Sequence, residues 1–334
     1  MLSLQSPLES VPQFQTRVGK GHGLAANPAL GLLATSNVFG NTVSVWDLKG
    51  FPQSPSTKGL RRVCTFGDKS TGAHRMQFDF SGGEGMSGHL AFTPVTAADA
   101  SPFLLVTDHC QHVVHVLDVV RRTHKGYLAP PRVIKGPRGI AVSDTLGLAA
   151  VSSWVTGSSA DHKVVVCRGS GVTWRHERTV GVGWVERPNG VRFLRDGSGI
   201  CVADTGNGRL SVFSMDDGTS PRHIATGMSN VKALEEVQGG WLVTCRFYPA
   251  RVKFLSDDGG PRNLHAQLHD ASEEDMDVGA FATVPGLGLV VLDIAEGDML
   301  LLSTRDLLAM WNMSAMRVAW ITAVVFSSHQ HRRV

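Results

Sequence analysis

The sequence has few charged residues, few tyrosines and no closely spaced cysteine pair. Charged residues make up 18% of its 334 residues, two residues are tyrosine, and no two of its five cysteines form a C-x-x-C pair. This odd count and wide spacing argue against a disulfide framework or a zinc ribbon. The cysteines are Cys64, Cys110, Cys167, Cys201 and Cys245. The last three stand among strand-type residues, where a free thiol acts as a small apolar side chain.

Other familiar signals are missing as well. Residues 1–14 have no basic start and no apolar stretch, so we expect no signal peptide and a cytoplasmic protein. The formal charge of +3 is small for this length and does not by itself demand a nucleic-acid partner. No G-x-S-x-G, P-loop or dinucleotide motif occurs. We therefore expect no catalytic residues, no cofactor and no resident metal.

Glycine, by contrast, is abundant, with 37 residues. Many glycines and few charges suit short strands joined by tight turns, and do not suit a helical bundle. Residues 187–213, RPNGVRFLRDGSGICVADTGNGRLSVF, show the pattern best. They contain a Pro-x-Gly start, a short strand, an Asp-Gly turn, a second strand ending in Asp204, a Gly/Asn turn and a third strand.

Weaker copies of this unit recur along the chain. The third strand is marked by an alternating apolar pair, found at Val43/Val45, Val114/Val116, Val164/Val166, Leu210/Val212, Val252/Phe254 and Met299/Leu301. An apolar second strand precedes each pair, at 32–35, 104–107, 148–152, 200–203, 241–244 and 289–292. One small antiparallel sheet is barely stable alone, whereas sheets stacked around an axis cover each other's faces. The repetition therefore predicts an all-β propeller.

The residues around the second turn resemble an NHL repeat. In that family an Asp closes strand two, and Asn-His or Asn-Asn precedes strand three. Asp204 and Asn207 fit this pattern, as do Asp108 and His112 in an earlier copy. The resemblance implies a six-bladed NHL-like β-propeller over residues 15–305, between an N-terminal segment 1–14 and an apolar tail 306–334.

The copies do not all follow the family pattern. The first has Asn37 where Asp is usual, the fifth has Arg246, and the third carries an insertion around 157–160. In the second and fourth copies, we expect Asp108 and Asp204 to accept hydrogen bonds from the following turn, because an Asp that begins a turn commonly does so.

His109, Cys110, His112 and His115 form the densest group of metal-ligand types. As a free sequence, H-C-x-H-x-x-H suggests zinc. The family resemblance, however, accounts for His112, and His115 takes the place of Ser44 and Ser211 in other copies. We therefore expect a solvated histidine cluster instead of a metal site.

A second resemblance concerns Pro188-Asn189-Gly190, which is similar to a motif of gluconolactonase-like and strictosidine-synthase-like propellers. In the metal-dependent lactonases, that Asn binds a divalent cation on the axis with a Glu and an Asp from other blades. This chain has Gly21-His22-Gly23 and Asn230-Val231 at the corresponding places. Because a hard cation needs several oxygen ligands, a lactonase-like hydrolase is only the alternative interpretation.

A basic stretch connects the second and third copies. Arg121, Arg122, Lys125, Arg132, Lys135 and Arg138 occur there without an acidic residue between them. Some NHL propellers bind RNA through a basic face, so residues 121–138 are a candidate RNA-binding loop. No aromatic residues for base stacking are interleaved with them, and a solvated basic loop is the simpler interpretation.

Three further segments stand outside the repeat. The acidic run 269–277 lacks the glycine spacing of an EF-hand and predicts a solvated loop. Residues 307–326 are apolar enough to suggest a closing strand, a packed helix or a membrane anchor, but Arg317 interrupts them and makes the anchor the weakest interpretation. Phe14–Val18 alternates apolar residues and is the better candidate for the outer strand of the last blade.

Taken together, these features predict a non-enzymatic scaffold that presents loops around a central channel to a protein partner. The candidate binding residues are Arg121, Arg122, Lys125, Arg138, Asn189 and Asn230. RNA is the alternative partner, DNA is not expected, and membrane contact through the tail is not favoured.

Overall fold

The regular structure is almost entirely β-strand. In the computed structural model of the protein, the described residues are 15–17, 21–48, 60–67, 77–80, 88–95, 101–130, 132–216, 220–237, 240–245, 251–256, 265–267, 278–284, 288–293 and 298–303. They contain one short 3-10 turn, Thr205–Asn207, and strands that average about the usual length for a globular protein. None of the described helices is long and apolar enough to cross a membrane.

The strands of the described residues form six four-stranded antiparallel sheets. The first three sheets, each in spatial order, are β2 (Leu24–Asn27), β3 (Leu32–Asn37), β4 (Thr42–Asp47), β5 (Arg61–Phe66); β6 (Leu90–Phe92), β7 (Phe103–Asp108), β8 (Val113–Asp118), β9 (Thr123–Tyr127); and β10 (Pro137–Ser143), β11 (Leu148–Val155), β12 (Ser158–Ser170), β13 (Thr173–Val180). The next two are β14 (Pro188–Phe193), β15 (Gly199–Asp204), β16 (Arg209–Ser214), β17 (Arg222–Ala225); and β18 (Val231–Val237), β19 (Gly240–Cys245), β20 (Arg251–Ser256), β21 (His265–Gln267).

The sixth sheet joins the two ends of the described chain. It consists of β22 (Val278–Val284), β23 (Gly288–Asp293), β24 (Asp298–Ser303) and β1 (Gln15–Arg17). β1 pairs antiparallel with β24, and Thr16 lies opposite Met299. The N-terminal segment therefore supplies the outer strand of the last sheet, which confirms the expectation for residues 14–18 and removes an exposed strand edge.

Because apolar side chains lie on both faces of each strand, a sheet contributes to two separate hydrophobic clusters. In the fourth sheet, Leu210 and Val212 on β16 pack in a cluster with residues of the fifth sheet. Phe213, the next residue along, packs in a cluster with residues of the third sheet. Because successive side chains of a strand point to opposite faces, a sheet that stands between two neighbours buries both. Similar clusters join the first sheet to the second, the second to the third, and the sixth to the first.

The first strands of the sheets lie side by side in the middle of the molecule. β2, β6, β10, β14, β18 and β22 each contact the next of the set, and β22 returns to β2. We call these the inner strands. Glycine permits their close approach: a Cβ on Gly139 of β10 would clash with the Asn189 carbonyl oxygen, and one on Gly190 of β14 would lie 2.7 Å from the Lys232 carbonyl oxygen.

Sheets arranged in this way around inner strands make an all-β propeller, as the sequence predicted. Every predicted apolar pair lies in the third strand of its sheet, and every predicted second strand lies in the second. The insertion around 157–160 lengthens β11 and β12 into a hairpin, with Val155 opposite Ser158. The acidic run 269–277 and the tail 306–334 lie outside the described residues.

Candidate functional site

The two ends of the ring differ in what they present. Each inner strand begins at the end where the second strand turns into the third, because neighbouring strands are antiparallel. We call this end the upper face and the opposite end the lower face. Trp184, just before β14, and Phe39, between β3 and β4, are exposed on the upper face, at 46% and 66% of their area.

Arg138 is the most deeply buried cation of the upper face. It is the second residue of β10 and is only 1% exposed. Its guanidinium carbon lies 4.4 Å from the centroid of the Trp154 ring, which is a cation–π contact. Its Nη2 lies 3.2 Å from Nε2 of His109. Since an arginine is always charged and only donates, Nε2 of His109 accepts this hydrogen bond.

Burial and the neighbouring arginine keep His109 neutral. Burial, followed by the charge of Arg138, lowers the pKa of His109 to about 4. An imidazole with an unprotonated Nε2 is the form that can accept from Arg138. The pair therefore holds one positive charge, not two.

Further cations stand on other inner strands. Burial, followed by the charges of Arg192, Arg138 and Lys232 in that order, lowers the pKa of His89, just before β6, to about 3. Arg192 lies on β14 and Lys232 on β18. β6 and β18 belong to the second and fifth of the six sheets, so the charge of Lys232 acts on His89 from the opposite side of the ring. We call His89, Arg138, Arg192 and Lys232 the channel set.

One cation of the channel set has a carboxylate partner on the next inner strand. Nε of Arg192 donates to Oε2 of Glu235 at 2.8 Å, and the Thr283 hydroxyl of the sixth sheet donates to Oε1 of the same carboxylate at 2.7 Å. Glu235 thus balances Arg192 and ties three inner strands together.

Asn189 and Asn230 lie near the starts of β14 and β18, but not at equivalent positions. Asn189 is the second residue of β14, is buried, and accepts a hydrogen bond on its carbonyl oxygen from the Ser152 hydroxyl of the third sheet. Asn230 directly precedes β18 and has a φ of +54°, a left-handed conformation that asparagine tolerates better than most residues. Lys232, which the sequence analysis did not select, is the second residue of β18, as Arg138 and Asn189 are of their strands. Aligning those second positions would have found it.

The two predicted aspartates are buried anchors of their turns. Asp108 accepts from the Gln111 backbone at 3.0 Å, so its predicted bond to the following turn is confirmed. Asp204 accepts from the Asn207 side chain of its turn at 2.9 Å, from the Glu186 backbone at 2.7 Å, and from Arg209 and Ser211. The backbone N–H groups of residues 206–208 do not donate to it, so for Asp204 the turn bond comes from a side chain and not from the predicted backbone.

His112 joins two sheets. Its φ is +57°, and its Nδ1 accepts the backbone N–H of Gly136, just before β10, at 3.0 Å. Asn41 occupies the same place in the first sheet, with a φ of +48°, and its Oδ1 accepts the backbone N–H of Phe80 at 2.8 Å. A left-handed residue with an acceptor side chain therefore ties each of these turns to the segment that precedes the next sheet.

The histidines of the second sheet do not form one cluster, because each of them contacts a different partner. His115 is 1% exposed and lies between Asp108, at 3.4 Å, and His124, at 3.3 Å. His109 faces Arg138, and His112 faces Gly136. The expectation of a solvated histidine cluster is wrong for His115, because β8 turns it into the sheet interface beside Phe78. Within the described residues, no group of three or more His, Cys, Asp or Glu side chains is placed to hold a metal ion.

Asp204, Ser211 and His223 lie in a row, but not in the order of a catalytic triad. Oγ of Ser211 is 3.0 Å from Oδ2 of Asp204 and 3.1 Å from Nδ1 of His223. The serine hydrogen points to the carboxylate, whereas a nucleophilic serine gives its proton to histidine. Ser211 is also fully buried. The row fixes the second, third and fourth strands of the sheet to one another.

The basic stretch 121–138 is divided between the two faces. Thr123–Tyr127 is the outer strand β9 and not an extended linker, so Arg121 and Arg122 lie on the lower face and Arg138 on the upper face. Arg121 pairs with buried Asp118 at 2.9 Å, Lys125 lies 3.8 Å from the same carboxylate, and Arg122 donates to the Val63 carbonyl. Burial would raise the pKa of Asp118, but hydrogen bonds from Arg121 and Ser101 hold it below its usual value.

The cysteines are free thiols, and four of the five are buried. Burial raises the pKa of Cys64 to about 11 and that of Cys167 to about 12, and it also raises the pKa of Cys201. Because the thiolate is the reactive form, these side chains act as core residues.

Comparison with solved structures supports the same architecture. A chain of the crystal structure of a nidogen/laminin complex has 14% sequence identity and a TM-score of 0.53, over 72% of this chain and 76% of that chain. The hydrazine synthase of Kuenenia stuttgartiensis has 16% identity and a TM-score of 0.59, over 93% of this chain and 83% of that chain. No family model and no curated protein sequence matches the chain. At these identities the likeness shows the fold alone, that of a β-propeller.

Proposed function

We propose that the chain is a closed, six-bladed, NHL-like propeller that acts as a non-enzymatic binding module, with its upper face as the docking surface for a protein partner. The observation that carries the proposal is the combination on that face of buried polar anchors, Arg138 and Asn189, with exposed Trp184 and Phe39. Rigid scaffolds that present loops in this way commonly bind partners, and aromatic and arginine side chains dominate binding energy.

The six blades and the NHL likeness rest on separate observations. Six four-stranded sheets and the β22–β2 contact support a closed ring. The Asp108 turn ending in His112, and the Asp204 turn with Asn207, support the NHL-like repeat. Five free cysteines fit a reducing compartment, and we propose a cytoplasmic protein.

RNA binding through residues 121–138 has less support. Arg121 is paired with Asp118, Lys125 lies 3.8 Å from the same carboxylate, and the stretch is divided between the two faces. Phosphate contacts need free cations on one surface. Charge reversal at Arg121, Arg122 and Lys125 tests this alternative directly, since salt-dependent RNA binding would be lost in that variant and kept in the wild type.

A lactonase-like hydrolase has less support for an electrostatic reason. A divalent cation on the axis needs converging carboxylate or amide oxygens. The second residues of β10 and β18 are Arg138 and Lys232, which repel such a cation. Thermal unfolding with and without millimolar calcium tests this alternative: a large rise in the midpoint would favour the hydrolase.

The main proposal is tested by affinity capture from cell extract, with and without nuclease. We expect to capture a protein partner both with and without nuclease, and we expect it to bind the purified chain at a defined stoichiometry. Partners that disappear with nuclease would favour RNA, and no specific partner under any condition would contradict the proposal.

A further inference from the structure

The loop between β13 and β14 exposes two apolar side chains, and the comparable loops expose none. Among the described residues, three loops lead from an outer strand to the next inner strand on the upper face, at 128–136, 181–187 and 226–230. Each has an apolar residue buried in the core, namely Leu128, Val185 and Met228. We call residues 181–187 the tip loop, which also exposes Val182 and Trp184, at 51% and 46% of their area. Because the described residues of the other two loops expose no large apolar side chain, the core does not require this pair.

The tip loop is a turn with a packed base and a projecting end. The Gly181 carbonyl accepts from the backbone N–H of Trp184 at 3.0 Å and from that of Val185 at 3.1 Å. Val185 packs in the core cluster shared by the third and fourth sheets. At Gly183, an added Cβ would meet nothing within 4 Å, so this end of the turn projects away from the sheets.

Two further bonds tie the tip loop to the fourth sheet. The Trp184 carbonyl accepts from Nη2 of Arg209 at 3.1 Å. The backbone N–H of Glu186 donates to the buried carboxylate of Asp204 at 2.7 Å. The exposed indole therefore stands on a fixed backbone, and little conformational freedom remains to be lost when it binds.

Arg187, the last residue of the tip loop, has a conformation that suits arginine poorly. Gly136, Arg187 and Asn230 each directly precede an inner strand, and their φ values are +56°, +47° and +54°. Glycine adopts this left-handed region freely and asparagine tolerates it better than most residues. The arginine side chain is about half exposed, and its Nε lies 3.8 Å from Oε1 of half-exposed Glu186, an arrangement that adds little stability. Backbone strain of this kind is concentrated at functional sites.

We propose that the tip loop is the binding hot spot of the upper face and inserts Trp184 into an apolar pocket of the partner protein, with Val182 and Arg187 contacting the rim of that pocket. This rests on the proposed function, because it names the part of the upper face that the partner contacts. A projecting side chain fits a concave surface, and an indole combines a large apolar area with one N–H donor. Tryptophan and arginine are also the side chains that most often dominate binding energy.

The charges of the tip loop favour a protein over a lipid surface. Glu186 and Arg187 are its only charged residues, and their charges cancel. Segments that insert apolar side chains into anionic membranes carry an excess of lysine and arginine around them. An apolar pocket of a protein requires no such excess.

Site-specific photocrosslinking of the full chain tests the inference. p-Benzoylphenylalanine replaces Val182 in one variant, Phe39 of the upper face in a second and Val172 near the lower face in a third; Val172 is about as exposed as Val182. Each variant is irradiated in nuclease-treated cell extract. We expect a discrete protein adduct from position 182 and none from position 172. Adding Trp184→Ser should reduce the adduct from position 182 by about tenfold or more.

Arg187→Gly separates binding from folding. Glycine adopts the left-handed conformation without strain, so the midpoint of thermal unfolding should stay within about 4 °C of that of the wild type. The adduct from position 182 should nevertheless fall by about fivefold or more, because the guanidinium is missing. An undiminished adduct in this variant overturns the inference, and Trp184→Ser decides the question if Arg187→Gly does not fold.

The positions of the adducts distinguish failure of this inference from failure of the proposed function. A protein adduct from position 39 but none from position 182 overturns the inference and leaves docking on the upper face in place. No protein adduct from either position overturns both. Equal adducts from positions 182 and 172, or adducts from position 182 that consist of lipid, also overturn the inference.

Discussion

Nδ1 of His112 accepts the backbone N–H of Gly136 at 3.0 Å, and this single bond ties the second sheet to the start of the third. The histidine side chain is exposed, but Gly136 is buried and its N–H has to be satisfied. Asn41 makes the equivalent bond to Phe80 between the first and second sheets.

Replacing His112 tests this relationship. His112→Ala removes the acceptor and places alanine in a left-handed conformation, so we expect a loss of about 1–3 kcal/mol in the free energy of unfolding. His112→Asn imitates Asn41 and should stay within about 0.5 kcal/mol of the wild type. Urea unfolding measures both. An alanine variant as stable as the wild type would show that the bond contributes nothing.

Replacing Asp204 should lower the free energy of unfolding more than replacing His112 does. Its fully buried carboxylate accepts from the Glu186 backbone, Asn207, Arg209 and Ser211. Asp204→Asn replaces one acceptor oxygen with an amide group that faces these donors with its own N–H groups. We therefore expect the free energy of unfolding to fall by about 3–5 kcal/mol. Exposed Asp196, which bonds Ser198 in a surface turn, is the matched control, and Asp196→Asn should lose less than about 1 kcal/mol. Similar losses in the two variants would contradict the anchoring role of Asp204.

The fold was largely predictable from sequence, and the site was not. The apolar pairs such as Leu210/Val212 repeat at fixed places, so local pattern alone identified the third strands and the closing segment at 14–18. No such sequence pattern shows which side chains contact one another across sheets. Asp118 binding to Arg121, the burial of His115, and Arg138 lying over Trp154 all depend on three-dimensional packing. Lys232 was missed because its strand starts with Val231 and lacks the Pro-x-Gly signal.

Two half-buried neutral histidines make the fold sensitive to mild acid. The pKa values of His89 and His109 are lowered from 6.5 to about 3 and about 4, mainly by burial. Between pH 6.5 and 4, the unfolded chain therefore binds more protons than the folded protein. The free energy of unfolding should fall as the pH drops through this window, by at most about 1.4 kcal/mol per pH unit for each histidine.

Urea unfolding at several pH values measures this slope. His109→Gln keeps an acceptor for Arg138 but cannot titrate, so its slope between pH 6.5 and 4.5 should be shallower than that of the wild type. The exposed His176 provides the control, and His176→Gln should keep the wild-type slope. A stability that is constant across the window, or an unchanged slope in His109→Gln, would contradict the assignment.

Closure of the ring predicts an asymmetry between the two termini. Deleting residues 1–19 removes β1 and exposes the edge of β24, so we expect a lower midpoint of thermal unfolding for the whole domain in one transition. Deleting residues 306–334 should leave the midpoint within about 4 °C of that of the full chain, because β1 already fills the outer place of the sixth sheet. Calorimetry compares the two deletions. Equal stability of both products would contradict closure by β1.

The central claim is that the partner docks on the upper face. Measuring how well matched variants of the two faces retain the captured partner tests this claim most directly. Trp184→Ser with Arg187→Glu alters two exposed side chains of the upper face, and Val172→Ser with Arg175→Glu makes similar changes near the lower face. We expect the upper-face variant to lose about tenfold or more in affinity and the lower-face variant to stay within about twofold of the wild type. Loss of the partner only in the lower-face variant, or unchanged binding in both, would contradict the claim.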